Sequence, residues 1–497
     1  MCKPYSILLL FLLVNLQRPV GAQTVPPPVA TPGALPPLPS AAPHITASDL
    51  PIPVAGAGRI TLQQAVKAGL RDNPQITSAL YSVLSARENY NSQKAPLNPI
   101  INYAALNNTV APLELGNGFA QGVNYSAYMT FETNGAIRYR TAEAREQWHQ
   151  AQFDAATTGL SLKLSIIDVY VGLQVANRAL EVEQKVYDNM RQLSDLTQQR
   201  FDAGAGQDAD ARRANIAAMQ EFQNVINDVA SVNSARAALN AQLGHPQNSP
   251  VDVAEPLVYR RVPVRDLAEL TKQAEQTRPE VKSALANLQS LKAVPGLQRS
   301  AYYPNVVIAR DFGSDSTVGI GLSAPLDLGG IRGAVAKAKA DVKTQEAQVE
   351  LARQGVDLDV KSSYINLIAA QKQVDTYETG AILLQSETLL EQTRHGYILG
   401  ANTILDVLTA EITYRSVETA YSSAIGAYVQ AAYTLEHAIG SLPDSVSGIS
   451  LAAIGFSGLS GLSIAANPSA ANVATSGPTA AGSTTANQSS ATGKNTP

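Results

Sequence analysis

Residues 278–285 read RPEVKSAL and residues 73–80 read NPQITSAL, and the echo runs through the body of the chain. Pro74 answers to Pro279 and Pro99 to Pro304, each pair 205 residues apart. Ile137-Arg138 answers to Ile331-Arg332 at 194, and Gly204 to Gly400 and Gly244 to Gly440 at 196. A tandem duplication restricts the fold strongly, because each copy must find a partner for the same apolar faces. The fall from 205 to 194 places about eleven extra residues in copy one between Pro99 and Ile137. The loop NNTVAPLELGNGFAQG is the simplest place for them, since surface loops absorb length changes at little cost.

Within each copy the period changes in one order. A helical stretch (62–94; 266–300) leads to a proline-marked strand, a second strand, a very long helix, a glycine-bearing turn and another long helix. In the second strand of copy one, Val123, Tyr125, Ala127, Met129 and Phe131 alternate with Asn124, Ser126, Tyr128 and Thr130. Copy two has a shorter version, Val318, Ile320 and Leu322 against Gly319, Gly321 and Ser323. One apolar and one polar face fit a hairpin on a soluble core, and equally the wall of a water-filled membrane barrel.

No proline interrupts Ala136 to Arg200, and a helix of that length is roughly 100 Å long, beyond any ordinary globular domain. Its apolar stripe, Leu162, Ile166, Val169, Leu173, Ala176 and Leu180, steps by fours and threes. Phe222, Val225, Val229, Val232, Leu239 and Leu243 continue the scheme on the returning helix, with Arg236 at the gap. That spacing is a coiled-coil seam. At the far ends the chain reads RFDAGAGQDADARRAN (200–215) and GYILGANTILDVLTAE (396–411). Gly204 and Gly400 suit left-handed helix ends, and Asp210 and Asp406 fall near the start of the next helix, where a carboxylate complements the helix dipole.

The ends of the chain differ from its body. Residues 1–22 combine Lys3, an apolar run of roughly eleven residues and a small-residue end at Val20-Gly21-Ala22, the layout of a secretory signal cleaved after Ala22. That run is too short to span a bilayer, and no other stretch reaches the roughly 20 apolar residues a spanning helix needs. The only cysteine, Cys2, falls inside the signal, so the exported chain has neither a disulfide nor a lipid-attachment thiol. An unanchored exported protein is then soluble or a β-barrel. Residues 23–58 read as a Pro-rich linker and 443–497 as an Ala/Ser/Thr/Gly tail too polar to fold alone. Residues 59–250 and 251–442 are the two repeats. A net charge of −4 with 16% charged residues speaks against nucleic acid as a partner.

The tandem organisation, ITLQQAVKAGLRDNP after the linker, YP before a strand at 303–304, APLDLGGIR at 324–332 and GANTILDVLTAE after the turn resemble the TolC-like outer-membrane factors of bacterial efflux and secretion. The match covers roughly residues 60–441. The resemblance implies an α+β, mostly α-helical fold built of strand-strand-long helix-helix repeats. It further implies a homotrimer whose twelve-stranded β-barrel sits in outer-membrane lipid, continuous with a periplasmic α-helical barrel. The implied partners are a periplasmic adaptor (membrane fusion) protein and an inner-membrane pump. It also implies roles at the helix tips. Asp406 matches the first aspartate of an aperture ring, whose second position is Thr409 here, with Asp210 alongside. Tyr397 and Asp210 match partners in a closed-state lock, whose arginine position is Asn402, so a looser resting gate is expected and Asn402→Arg should tighten it. Phe201, Ala203, Gly204, Ala205, Ile398, Leu399, Gly400 and Ala401 match the adaptor-binding tips, though small and apolar tips are also ordinary turn packing.

An enzyme finds no support. His44, His149, His245, His395 and His437 lack metal-ligand spacing, and no phosphate loop or nucleophile elbow is present. DFG at 311–313 lacks the other kinase elements, and no cofactor is implied. The non-enzymatic alternative to a channel is a periplasmic or surface coiled-coil scaffold or adhesin without a pore. A scaffold has no reason to keep strand hairpins in register in both copies.

Overall fold

A computed structural model describes residues 58–94, 100–107, 123–263, 265–312, 317–325 and 327–440. The signal, all but the last residue of the linker, Pro99, the loop from 108 to 122 and the C-terminal tail lie outside the described residues.

Copy one contributes β1 (Gly58–Ile60), α1 (Leu62–Asp72), α2 (Pro74–Lys94), β2 (Ile100–Asn107), β3 (Val123–Phe131), α3 (Ala136–Asp202) and α4 (Asp208–Leu243). Copy two contributes β4 (Val251–Val253), α5 (Leu267–Thr277), α6 (Pro279–Ser300), β5 (Asn305–Phe312), β6 (Thr317–Ser323), α7 (Leu328–Thr379), α8 (Ile382–Ile398) and α9 (Ile404–Ala438). Each helical stretch, over 62–94 and 266–300, consists of two helices, broken before Pro74 and Pro279. Proline opens a helix well because its missing N–H has no partner there anyway, and it pushes the preceding residue out of the helical region. Asn73 and Arg278 accordingly have ψ of 128° and 124°. Thr61 starts α1 through a capping box, its hydroxyl accepting from Gln64 N at 3.3 Å while its own N donates to Gln64 Oε1 at 3.0 Å.

The very long helix is continuous only in copy one. Its counterpart stops at Thr379, turns through Gly380 and Ala381, and resumes as α8. Ala381 has φ 47°, the one positive φ on a non-glycine residue among the described residues. The last turn tightens before the break, with Ala381 N donating to Glu378 O at 3.2 Å.

The two hairpins lie side by side in one antiparallel sheet of order β2-β3-β5-β6. Copies meet at β3 and β5, where Met129 pairs with Ile308 and Phe131 with Val306. Val306, Ile308 and Arg310 pair in turn with Leu322, Ile320 and Val318. The pleat therefore puts Met129, Phe131, Val306, Ile308, Val318, Ile320 and Leu322 on one face, together with Arg310. Ile320 is 78% exposed there, and Val318 and Leu322 are also exposed.

The helices bury the expected seam. Leu162, Ile166 and Leu173 pack with Val232, Leu239 and Leu243 in a core that also holds Leu62, Val66 and Leu70 of α1. Copy two builds the matching core from Leu270, Val356, Val360, Leu367, Ile425 and Leu435. Where the two copies abut, the short parallel pair β1–β4 sets Arg59 opposite Asp252, and Tyr170 on α3 donates its hydroxyl to Ile60 O at 3.0 Å. Arg236, the gap in the seam, pairs with Asp252 at 3.4 Å. One 18-residue window within α3 is apolar enough by composition to cross a membrane, although α3 holds no run of 20 apolar residues. Most of that window, 56%, is buried against the other helices, so packing accounts for its apolar character.

Candidate functional site: the helix tips and the charged layer behind them

The sequence places small residues where each long helix must reverse. At the first tip Gly204 takes φ 73° and its N donates to Phe201 O at 2.9 Å, while Ala205 N donates to Arg200 O at 2.8 Å. At the second, Gly400 takes φ 80°, its N donating to Tyr397 O at 3.1 Å and Ala401 N to Gly396 O at 2.7 Å. Both are glycine-terminated turns that leave the next helix antiparallel. They present apolar side chains to solvent. Leu399 is 81% exposed, and Ile398, Leu405 and Phe201 are exposed as well. Ala203, Gly204, Ala205, Gly400 and Ala401 are all exposed beside them.

Asp406 sits in the first turn of α9 inside a capping box. Its Oδ2 accepts from Thr403 N at 2.8 Å and Thr403 Oγ1 at 2.7 Å, and its own N donates to Thr403 Oγ1 at 3.3 Å. The Thr403 hydroxyl and backbone N–H hold this exposed carboxyl below the usual aspartate range. Thr409 follows on the same exposed face, its hydroxyl donating to Leu405 O at 2.8 Å, and Thr413 continues it. The exposed stripe of α9 at the tip therefore carries one carboxylate followed by hydroxyls. Asp210 lies in the first turn of α4 and pairs with Arg213 at 3.4 Å.

Tyr397 is buried among Leu390, Ile404, Val407, Met190 and Leu193. Burial pushes its phenol upward, with the Asp210 carboxylate adding to the rise and the Arg200 guanidinium opposing it. Arg200 stands 5.2 Å from the centre of the Tyr397 ring and donates Nη1 to Tyr397 O at 3.2 Å. Asn402 turns back instead, donating Nδ2 to Thr393 O at 3.2 Å within its own hairpin. Tyr397, Asp210 and a cation are thus brought together, but the cation is Arg200 from the end of α3. Sequence reasoning does not single out Arg200, because the only signal is its place four residues before the tip glycine.

Behind the tips runs a layer of charge between the two copies. Arg415 of α9 reaches Glu221 of α4 at 2.5 Å and Glu183 of α3 at 3.6 Å. Glu418 pairs with Arg178 of α3, Lys185 of α3 donates to Tyr414 Oη at 3.0 Å, and Arg394 of α8 holds Glu411 at 3.1 Å. Glu183, Glu221, Glu411 and Glu418 are all buried. Two carboxylates share Arg415, so desolvation and the adjacent Glu221 push Glu183 up to about 8. Burial likewise raises Glu411 despite Arg394. Among the described residues no group of His, Cys, Asp and Glu is arranged to hold a metal ion.

Comparison with known proteins agrees with this architecture. A family model, Outer membrane efflux protein, matches residues 65–245 and 270–441. Outer membrane protein TolC of Salmonella enteritidis is 22% identical over 415 residues, covering 77% of this chain and 82% of TolC. The cobalt-zinc-cadmium resistance protein CzcC of Cupriavidus metallidurans is 23% identical, covering 62% of this chain and 75% of CzcC. Among solved structures, the outer-membrane channel OprN superposes with a TM-score of 0.65 at 20% identity, over 76% of this chain and 89% of OprN. The duplicated fold, its paired hairpins and the two-part family match identify the chain as a member of the outer membrane efflux protein family.

Proposed function

We propose that this protein is the outer-membrane channel of a tripartite efflux or type I secretion system, a passive duct opened by an adaptor and an inner-membrane pump. The observation that carries the reading is the sheet. Strand β6 exposes Val318, Ile320 and Leu322 on one face, and β2 and β6 stand at the edges of the four-stranded sheet. Such a sheet is an aggregation hazard in water, whereas closing it on further copies inside a bilayer satisfies both the face and the edges. Three copies give twelve strands, within the range of such barrels. Three exposed residues of α7, Leu351, Leu358 and Ile365, repeat every seven positions, the spacing of a helix face that packs on another helix. A neighbouring copy is the occupant this trimer supplies.

In this reading residues 59–250 and 251–442 are the two repeats, and three chains place six quasi-equivalent units around one pore. Asp406 and Thr409 narrow the periplasmic aperture, with Asp210 and Tyr397 behind them, and the exposed Phe201, Ile398 and Leu399 meet the adaptor. A hydroxyl-lined passage contacts cargo weakly, and selectivity rests with the pump. The protein carries out no chemistry. In planar bilayers the purified protein should show a small resting conductance, and Asp406→Asn should alter its cation preference. A protein that never conducts under any applied voltage would favour the scaffold reading.

A further inference from the structure

The boundary between strands and helices carries a group of cations that the duct does not use. Arg299 near the end of α6, and Arg332 and Lys339 two turns apart on α7, line an open cavity of about 390 Å³ with Tyr302 and Tyr303. No acidic side chain lines it. Tyr303 is exposed and stands two residues before β5 begins at Asn305. In a membrane-inserted sheet the cavity therefore lies at the depth where the chain leaves the bilayer on the helical side.

The duplication supplies an independent observation. Displaced by 205 residues, Arg299 falls on Lys94; displaced by 194, Arg332 and Lys339 fall on Arg138 and Arg145. With 37 Lys and Arg in 497 residues, three basic positions kept in both copies are not an effect of composition. Copy one also pairs cations with aromatic rings: Lys94 Nζ is 5.9 Å from the Tyr90 ring centre and Arg138 is 4.8 Å from that of Tyr139. Its third cation, Arg145, is partly neutralised by Glu146 at 2.9 Å.

We propose that Arg299, Arg332, Lys339, Tyr302 and Tyr303 form a binding site for the phosphate-bearing headgroup of an anionic phospholipid in the periplasmic leaflet of the outer membrane. Lys94, Arg138 and Arg145 form its weaker counterpart in copy one. The site rests on the outer-membrane reading above. Guanidinium forks match phosphate oxygens bidentately, lysine adds a point charge, and tyrosine rings suit the headgroup layer with a hydroxyl to donate. Repeated around a trimer, the sites would form a collar fixing the depth and tilt of the barrel.

The test uses the full-length protein in detergent, titrated with phosphatidylglycerol, phosphatidylcholine or inorganic phosphate while its thermal unfolding is followed. Phosphatidylglycerol should raise the unfolding temperature, and the other two should not. The triple variant R299Q/R332Q/K339Q should bind phosphatidylglycerol about 100-fold more weakly, R332Q alone about fivefold, and K94Q/R138Q/R145Q should lose less than the first triple. Lipid-free unfolding of R332Q should match the unsubstituted protein. Equal affinity in the R299Q/R332Q/K339Q protein, or an equal response to phosphatidylcholine, overturns the proposal. An equal response to inorganic phosphate also overturns it, leaving a free-anion site. Unsubstituted protein recovered from the outer membrane but indifferent to phosphatidylglycerol sinks this proposal alone. Its absence from that membrane sinks the reading beneath it as well.

Discussion

The two copies differ most where the long helices descend to the tips. In copy one α3 runs unbroken for 67 residues, whereas in copy two the same descent is α7 and α8, separated at Gly380 and Ala381. The charged layer draws on both copies, at positions that do not match. Carried back by the 196-residue offset, Arg415 becomes Met219, Glu411 becomes Asn215 and Glu418 becomes Phe222. Copy one has neutral groups at these three positions; Arg415 and Glu418 reach across to charges elsewhere on α3 and α4, while Glu411 pairs within copy two. The two arms thus differ: one is unbroken, and the other is jointed and tied to it through Arg415 and Glu418.

The largest expected effect comes from removing the shared cation. Arg415→Ala removes the cation that the buried Glu183 and Glu221 share and leaves Glu221 with the neutral Asn224 amide at 2.8 Å, a change that costs about 3–5 kcal/mol. Replacing Arg415, Glu183 and Glu221 with Met should recover most of that stability, because an apolar layer needs no compensating charge. Chemical denaturation of the detergent-solubilised protein distinguishes the two variants. If Arg415→Ala and the triple-Met protein are equally unstable, the layer is not a charge clamp.

The same layer should make stability depend on pH. Glu183 is raised from 4.5 to about 8 in the folded protein, so the folded state binds a proton that the unfolded chain releases. Its contribution is fully present below about pH 4.5 and is lost as pH rises through about 8, with a slope of at most about 1.4 kcal/mol per unit. Glu183→Gln should remove that slope between pH 5 and 8, read as a smaller change in unfolding temperature across the range.

Smaller effects test the joint and the aperture. Ala381→Gly relieves a left-handed alanine and should stabilise α8 by up to about 1 kcal/mol, while the matching change in unbroken α3 should destabilise it. Thr403→Ala removes the cap of α9 and should cost about 1 kcal/mol. It should also let Asp406 titrate at higher pH, because the hydroxyl that lowers its pKa is gone. Bilayer conductance as a function of pH reads this shift directly. Arg200→Ala should raise resting conductance more than Asn402→Arg lowers it, since Arg200 already stands on Tyr397.

Much of this architecture is legible in the sequence because it is written in periods and punctuation. The seam of α3 and α4 shows in residues spaced by threes and fours, and the tips show in Gly204 and Gly400, whose positive φ other residues resist. Less visible are features without a local pattern. The pair β1 and β4 is three residues per strand, too short for alternation to register. Ala381 is a good helix former that tertiary context forces out of the helix. The charged layer joins positions 183, 221 and 415, and only the packing of α9 against α3 and α4 makes them neighbours. Arg200 likewise acquires its role from Tyr397, nearly two hundred residues away.

The central claim is that three copies close the exposed sheet into one barrel in the outer membrane. The most direct test is the particle mass by light scattering after detergent extraction of the separated outer-membrane fraction. The account predicts a particle of three times the monomer mass. A monomer or dimer recovered from the soluble periplasmic fraction would contradict it.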